Sequence, residues 1–246
     1  MTIELTSFSA PLRAVLIGAS GGIGGALTHL LEEHAAVGAL YALSRSGATS
    51  SFTKAQSGRL DLLSEKSVAA AAARISGPID LVIVATGHLH DADGGPEKTW
   101  RSFAPERALL SYQVNAIGPM LVAKHFLPKL RSNAKSGFAA ISARVGSISD
   151  NQSGGWYSYR ASKAALNQMI RTAAIELARK NPNAFCIGLH PGTVDTALSK
   201  PFQGNVPDTR LFTADQSARA LLAVLNATSA SASGRCFAWD GSEIAP

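Results

Sequence analysis

Short apolar runs recur along the chain and alternate with longer stretches in which apolar residues repeat every three or four positions. The runs Ala14–Ala19, Ala39–Ser44, Ile79–Thr86, Gly137–Ser142, Ala184–His190 and Arg235–Trp239 have strand length, and a further strand ends near Leu60. Helical spacing marks Gly22–Ala36, where Ile23, Leu27, Leu30 and Leu31 share a face, and predicts helices over Ser64–Ile75, Pro105–Leu130, Tyr157–Arg179 and Ala214–Leu225. The Ile79–Thr86 run has the β-branched content of a strand buried on both faces. This alternation implies an α/β fold, a Rossmann-type doubly wound parallel sheet with helices on both faces and right-handed crossovers. Such a sheet holds its ligand beyond the C-terminal ends of its strands, so candidate residues are sought just after each run.

Hydrophobic residues make up 46% of the 246 residues and charged ones 16%, enough apolar material for a large core and too much for a disordered chain. With no internal repeat and no linker between cores, residues 1–246 are expected to form a single domain. No apolar run approaches the ~20 residues of a membrane helix, and the N-terminus lacks the basic and apolar segments of a secretory signal. Two cysteines, Cys186 and Cys236, make no disulfide framework. A cytoplasmic protein that engages no membrane is therefore the expectation. The net charge of +6 comes from scattered Lys and Arg without a basic, aromatic-interleaved stripe. That pattern argues against nucleic acid and suits a phosphate-bearing small molecule. His88 and His90 have no third ligand in order, so no metal site is expected.

Candidate chemistry begins directly after the first run. Gly18-Ala19-Ser20-Gly21-Gly22-Ile23-Gly24 links a strand to a helix, where glycine lets backbone approach a pyrophosphate and lets the helix press on the strand. The helix N-terminus then offers its amides to the phosphates. After the second strand, Leu43-Ser44-Arg45-Ser46 carries no carboxylate for a ribose 2′-hydroxyl, whereas Arg45 offers a planar, permanently charged fork for a 2′-phosphate. NADP(H) is favoured over NAD(H).

Further along, Tyr159 and Lys163 lie four residues apart at the start of a helix and share its face. A neighbouring ammonium favours phenolate, so Lys163 is expected to lower the Tyr159 pKa and fit it for proton transfer to a carbonyl. The glycine turn, this tyrosine–lysine helix and Pro191-Gly192 after the next strand together resemble the short-chain dehydrogenase/reductase family from Ala14 to about Gly241. Gly146-Ser147-Ile148, Gly154 to Lys163, and His190 to Thr196 are similar to its C-factor and carbonyl-reductase-like branch.

The resemblance implies a role for each matching position. Gly18, Ser20, Gly22, Ile23 and Gly24 would hold the pyrophosphate; Asp61 and Leu62 would meet the adenine; Ala85, Thr86 and Gly87 would line the adenosine side. Asn115 would support a water relay to Lys163, which would hold the nicotinamide ribose beside the proton donor Tyr159. Pro191, Gly192, Val194 and Thr196 would frame the nicotinamide. Ile17 precedes the turn where the family usually has threonine, and Ala85 replaces the family's asparagine. The serine that would hydrogen-bond the substrate carbonyl falls on Ala143; Ser142 is the expected replacement, with Ser147 the second candidate. Segment 197–212, with Pro201, Phe202, Pro207 and Phe212, is the expected lid. The resulting expectation is an NADPH-dependent carbonyl reductase acting on a small molecule as a homodimer or homotetramer. A dinucleotide-binding signalling protein with little turnover is the alternative.

Overall fold

The computed structural model describes residues 3–47, 53–91, 94–204 and 207–246. At its centre β1 (Leu12–Ile17) and β4 (Leu81–Val84) run side by side and parallel. β2 (Val37–Ser44) and β3 (Ala55–Arg59) extend the sheet beyond β1. β5 (Ser136–Ile141), β6 (Ala184–His190) and β9 (Cys236–Ala238) extend it beyond β4, all parallel. An antiparallel strand β10 (Glu243–Ile244) completes the order β10-β9-β6-β5-β4-β1-β2-β3. Chain order reverses direction between β1 and β4, and that reversal opens a crevice at their C-terminal ends.

Alternation along the strands builds two cores. Val15 and Ile17 of β1, with Val82 and Val84 of β4, face helices α2 (Glu65–Arg74), α4 (Gly118–Phe126) and α5 (Tyr157–Lys180). Ala14 and Leu16, with Leu81 and Ile83, face α1 (Gly22–Glu33) and α6 (Ala214–Ala227). Both faces are apolar, as a parallel sheet covered on two sides requires. Asp80, fully buried at the start of β4, accepts from the Arg13 amide at 2.8 Å and pairs with Arg131, so the buried charge is compensated.

Several expected boundaries move. β1 ends at Ile17 because Gly18 turns the chain with φ +91°. The long helix expected over 105–130 is three pieces: α3 (Pro105–Tyr112), a π-helical turn Gln113–Ile117, then α4. Pro119 has no N–H for the Asn115 carbonyl four residues earlier, and the Gly118 amide bonds back five residues to Gln113 instead. α6 runs to Ala227 from a Thr213–Gln216 capping box. The last expected strand stops at Ala238, and a turn at Gly241 (φ +82°) returns the chain as β10.

The expected lid has regular structure of its own. A helical turn Lys200–Phe202 follows Thr196, and β7 (Thr193–Val194) pairs in parallel with β8 (Leu211–Phe212). Asn205 and Val206 of that segment lie outside the described residues.

Candidate active site

The crevice begins at the glycine turn. Gly18 and Ala19 donate to the Leu43 carbonyl (2.8 and 3.1 Å), and the Ala85 amide donates to the Ile17 carbonyl (2.8 Å). These bonds bring the ends of β1, β2 and β4 together. A Cβ on Gly24 would stand 2.0 Å from the Gly18 carbonyl oxygen, so only glycine lets α1 seat this close to the turn. The first bond of α1 runs from Gly25 to Gly21, leaving the amides of Gly22, Ile23 and Gly24 ahead of the ladder. Exposed amides at a helix N-terminus beside a crevice fit a phosphate. Thr86 Oγ1 is buried there without a hydrogen-bond partner, a further polar group facing the dinucleotide side.

A cleft of ≈ 440 Å³ continues from the turn to α5. It brings together Gly22, Ile23, Ala85, Thr86, Gly87, Ser142, Tyr159, Lys163, Pro191, Gly192, Val194 and Thr196 from the sequence reading. Gly18, Ser20 and Gly24 form the turn behind it, and Asn115 is wholly buried beside it. Arg45, Asp61 and Leu62 lie outside the cleft, past the ends of β2 and β3. Arg45 is exposed there, whereas the Leu62 side chain packs into the core against Gly118.

Tyr159 and Lys163 are both buried, and the Lys163 ammonium stands 5.8 Å from the phenol ring centre. Lys163 Nζ donates to the Ile141 carbonyl at 2.8 Å. Burial pushes Lys163 down to about 8 and Tyr159 up to about 12. The expected lowering of the tyrosine pKa is thus reversed in this geometry. Desolvation of the phenolate outweighs an ammonium that is itself desolvated and turned toward a carbonyl.

The serine expectation also changes. Ser142 Oγ donates to Asn167 Oδ1 at 2.7 Å, whereas Ala143, one residue on in extended backbone, packs with Tyr159 and Leu89. Neighbours in extended chain point to opposite faces, so the methyl faces the tyrosine and the Ser142 hydroxyl does not. Ser147 lies outside the cleft, where it accepts from the Asp150 amide.

Asn115 works through its neighbours. Its Oδ1 accepts from the His88 amide and its Nδ2 donates to the His88 carbonyl, both at 2.8 Å, and Nδ2 reaches Ser162 Oγ at 3.0 Å. The side chain thus ties the loop after β4 to α5. His90 joins the lid, with Nε2 3.1 Å from the Ala197 carbonyl and its ring edge-on to Phe202. Among the described residues, no group of three or more His, Cys, Asp or Glu side chains is placed to hold a metal. Nor is any of their helices long and apolar enough to cross a membrane.

The sequence reading passed over Glu97. This carboxylate is 2% exposed and accepts from the Ser158 amide (3.1 Å) and hydroxyl at the start of α5. Burial acts to raise its pKa, but the Ser158 hydrogen bonds outweigh burial and hold it below the usual carboxylate range. Its main-chain carbonyl accepts from the Trp156 amide, and Trp156 adopts φ 54°, a left-handed conformation rare for so large a residue. Trp156 thereby stands edge-on to Tyr159 (6.0 Å between centres) and to Phe202 of the lid (5.2 Å). A Glu sixty-one positions from Ser158 carries no local spacing signal.

With this geometry in view, the family pattern for short chain dehydrogenases matches residues 13–206. The chain is 36% identical over 135 residues to the C-signal of Myxococcus xanthus, covering 54% of this chain and 75% of that one. It is 32% identical over 185 residues to 1-hydroxy-2-glutathionyl-2-methyl-3-butene dehydrogenase of a Rhodococcus species, covering 74% and 76%. Among solved structures, NADPH-bound carbonyl reductase from chicken fatty liver superposes with a TM-score of 0.84 at 25% identity, covering 100% of this chain and 99% of that one.

Proposed function

The chain belongs to the short chain dehydrogenase family and is an oxidoreductase of that family, and on that premise we propose that it reduces an aldehyde or ketone to an alcohol with NADPH. The observation that carries this reading is the buried Tyr159–Lys163 pair at one end of a cleft whose other end is the glycine turn. A nicotinamide dinucleotide would rest its phosphates on the amides of Gly22, Ile23 and Gly24, and when bound it supplies a hydride. Arg45 would hold a 2′-phosphate, and the NADPH bound by the carbonyl reductase relative supports that choice. Pro191, Gly192, Val194 and Thr196 would border the nicotinamide, while Asp61 and Leu62 would lie toward the adenine.

Tyr159 is the proposed proton donor. With its pKa near 12 the phenol keeps its proton at neutral pH, as a general acid must before it acts. Lys163, anchored on the Ile141 carbonyl, stands beside the ring and offsets the phenolate charge as the proton leaves. Asn115 is a positioning residue that holds the His88 loop against α5. We assign no polarising role to Ser142, whose hydroxyl is engaged by Asn167. The chain is proposed to act as one domain. Exposed Leu109, Ile117 and Ile175 support a homodimer or homotetramer packed through α3, α4 and α5.

Fluorescence titration with NADPH and NADH, followed by cofactor oxidation with a carbonyl panel, tests the reading. Selective NADPH binding with oxidation on a carbonyl is the expected result. Selective binding without oxidation of any carbonyl would favour a dinucleotide-dependent signalling protein, a reading to which the likeness to C-signal lends weight.

A further inference from the structure

The side chain of β5's end that meets the Tyr159 ring is a methyl. Ala143 is buried against Tyr159 and Leu89, and the hydroxyls nearest in sequence are engaged elsewhere, Ser142 with Asn167 and Ser147 with the Asp150 amide. Arg144 turns to Asp150, 3.4 Å away, and the Ser199 hydroxyl donates to the Val194 carbonyl. Thr86 Oγ1 is enclosed. A carbonyl oxygen that accepts the Tyr159 proton therefore gains no second hydroxyl from this strand end. Losing one such donor costs roughly 10²–10³ in turnover, and the loss falls hardest on carbonyls with little electrophilicity of their own. The rest of the pocket is apolar and partly aromatic, with Leu89, Val145, Leu198 and Phe202 around Trp156. Its wall suits a flat ring.

Resting on the reductase reading above, we infer that the pocket serves carbonyls activated by their own conjugated acceptor, with aryl 1,2-dicarbonyls as the substrate class. In the step, the nicotinamide hydride forms the new C–H bond at the carbonyl carbon. The C=O π pair moves to oxygen, which takes the Tyr159 proton; the dicarbonyl becomes a hydroxyketone and NADPH becomes NADP⁺. The adjacent acyl group withdraws electron density in place of the missing donor.

The test compares 1-phenyl-1,2-propanedione with 1-phenyl-1-propanone in the wild type and in Ala143→Ser. The wild type is expected to reduce the dione at least ~100-fold faster in kcat than the monoketone, beyond their ratio with borohydride in solution. Ala143→Ser is expected to raise the monoketone rate ~10-fold or more and the dione rate by less than ~3-fold. Quenching of tryptophan fluorescence, read without cofactor, should give dissociation constants within ~3-fold for both ketones and both proteins, placing the discrimination in turnover. Comparable wild-type rates on the two ketones, an equal gain on both in the variant, or a binding difference that accounts for the rate ratio each overturns the inference while leaving the reductase reading intact. The wild-type rate ratio decides alone if the variant does not fold. No oxidation of NADPH with either ketone or any other carbonyl overturns the reductase reading and the inference with it.

Discussion

On the β1–β2 side of the crevice, backbone atoms define the shape. Gly18 and Ala19 donate to Leu43, Gly24 presses on the Gly18 carbonyl, and open helix amides face outward. On the β5–α5 side, side chains do the equivalent work across long stretches of sequence. Glu97 reaches Ser158 over 61 positions, Asn115 reaches Ser162 over 47 and His88 over 27, and Ser142 reaches Asn167 over 25. A site for an invariant cofactor can be built from backbone, which every sequence supplies. A site for a particular substrate needs side chains, which can be exchanged one at a time.

The largest effect expected from breaking this contrast is on the side-chain half. Tyr159→Phe should lower kcat by about 10²–10⁴-fold while the NADPH dissociation constant, read by fluorescence, stays within about twofold. The backbone half should fail in the opposite way. Gly24→Ala forces a carbon against the Gly18 carbonyl, so it should cost about 1–3 kcal/mol in urea denaturation and weaken NADPH and NADH together. Arg45→Ala sharpens the comparison further. Losing a charge-assisted bond worth about 1.5–3 kcal/mol should weaken NADPH roughly ten- to a hundredfold and leave NADH nearly unchanged by titration.

The buried lysine adds a pH signature to the side-chain half. Its folded pKa, about 8, lies below its ordinary 10.5, so between these values the unfolded chain binds the extra proton and stability rises with pH. The gain is at most about 3 kcal/mol from pH 8 to 10. Lys163→Met should remove that rise, seen as the difference between the two proteins' denaturation midpoints at each pH. Tyr159, shifted upward, opposes it only above about pH 10. The smallest effect expected is Glu97→Ala, which strips a carboxylate from the start of α5. We expect a loss of about 1 kcal/mol, a KM several-fold higher for aryl carbonyls, and little change in NADPH affinity.

The same contrast explains what the chain made legible. The sheet, its strand ends and the glycine turn follow from local periodicity and from residues whose backbone demands are local, so Gly18 and Gly24 could be placed from sequence. Tyr159 and Lys163 were visible because four-residue spacing on a helix fixes a shared face. Ser142 was misplaced because a one-residue shift in extended chain swaps faces, and only the packing of Ala143 on Tyr159 settles which face is which. The break at Gln113–Ile117 could have been anticipated from Pro119 within an otherwise helical pattern. Glu97 and the left-handed Trp156 could not, since their contacts join segments with no periodicity in common.

The central claim is that hydride passes from bound NADPH to a carbonyl carbon held beside Tyr159. The most direct measurement gives the wild type NADPH deuterated at the transferring position, with an aryl dione, and examines the hydroxyketone by mass spectrometry. The account predicts one deuterium at the carbinol carbon, and no such product from Tyr159→Phe on the same timescale. Tight NADPH binding with no labelled product from any carbonyl would contradict it.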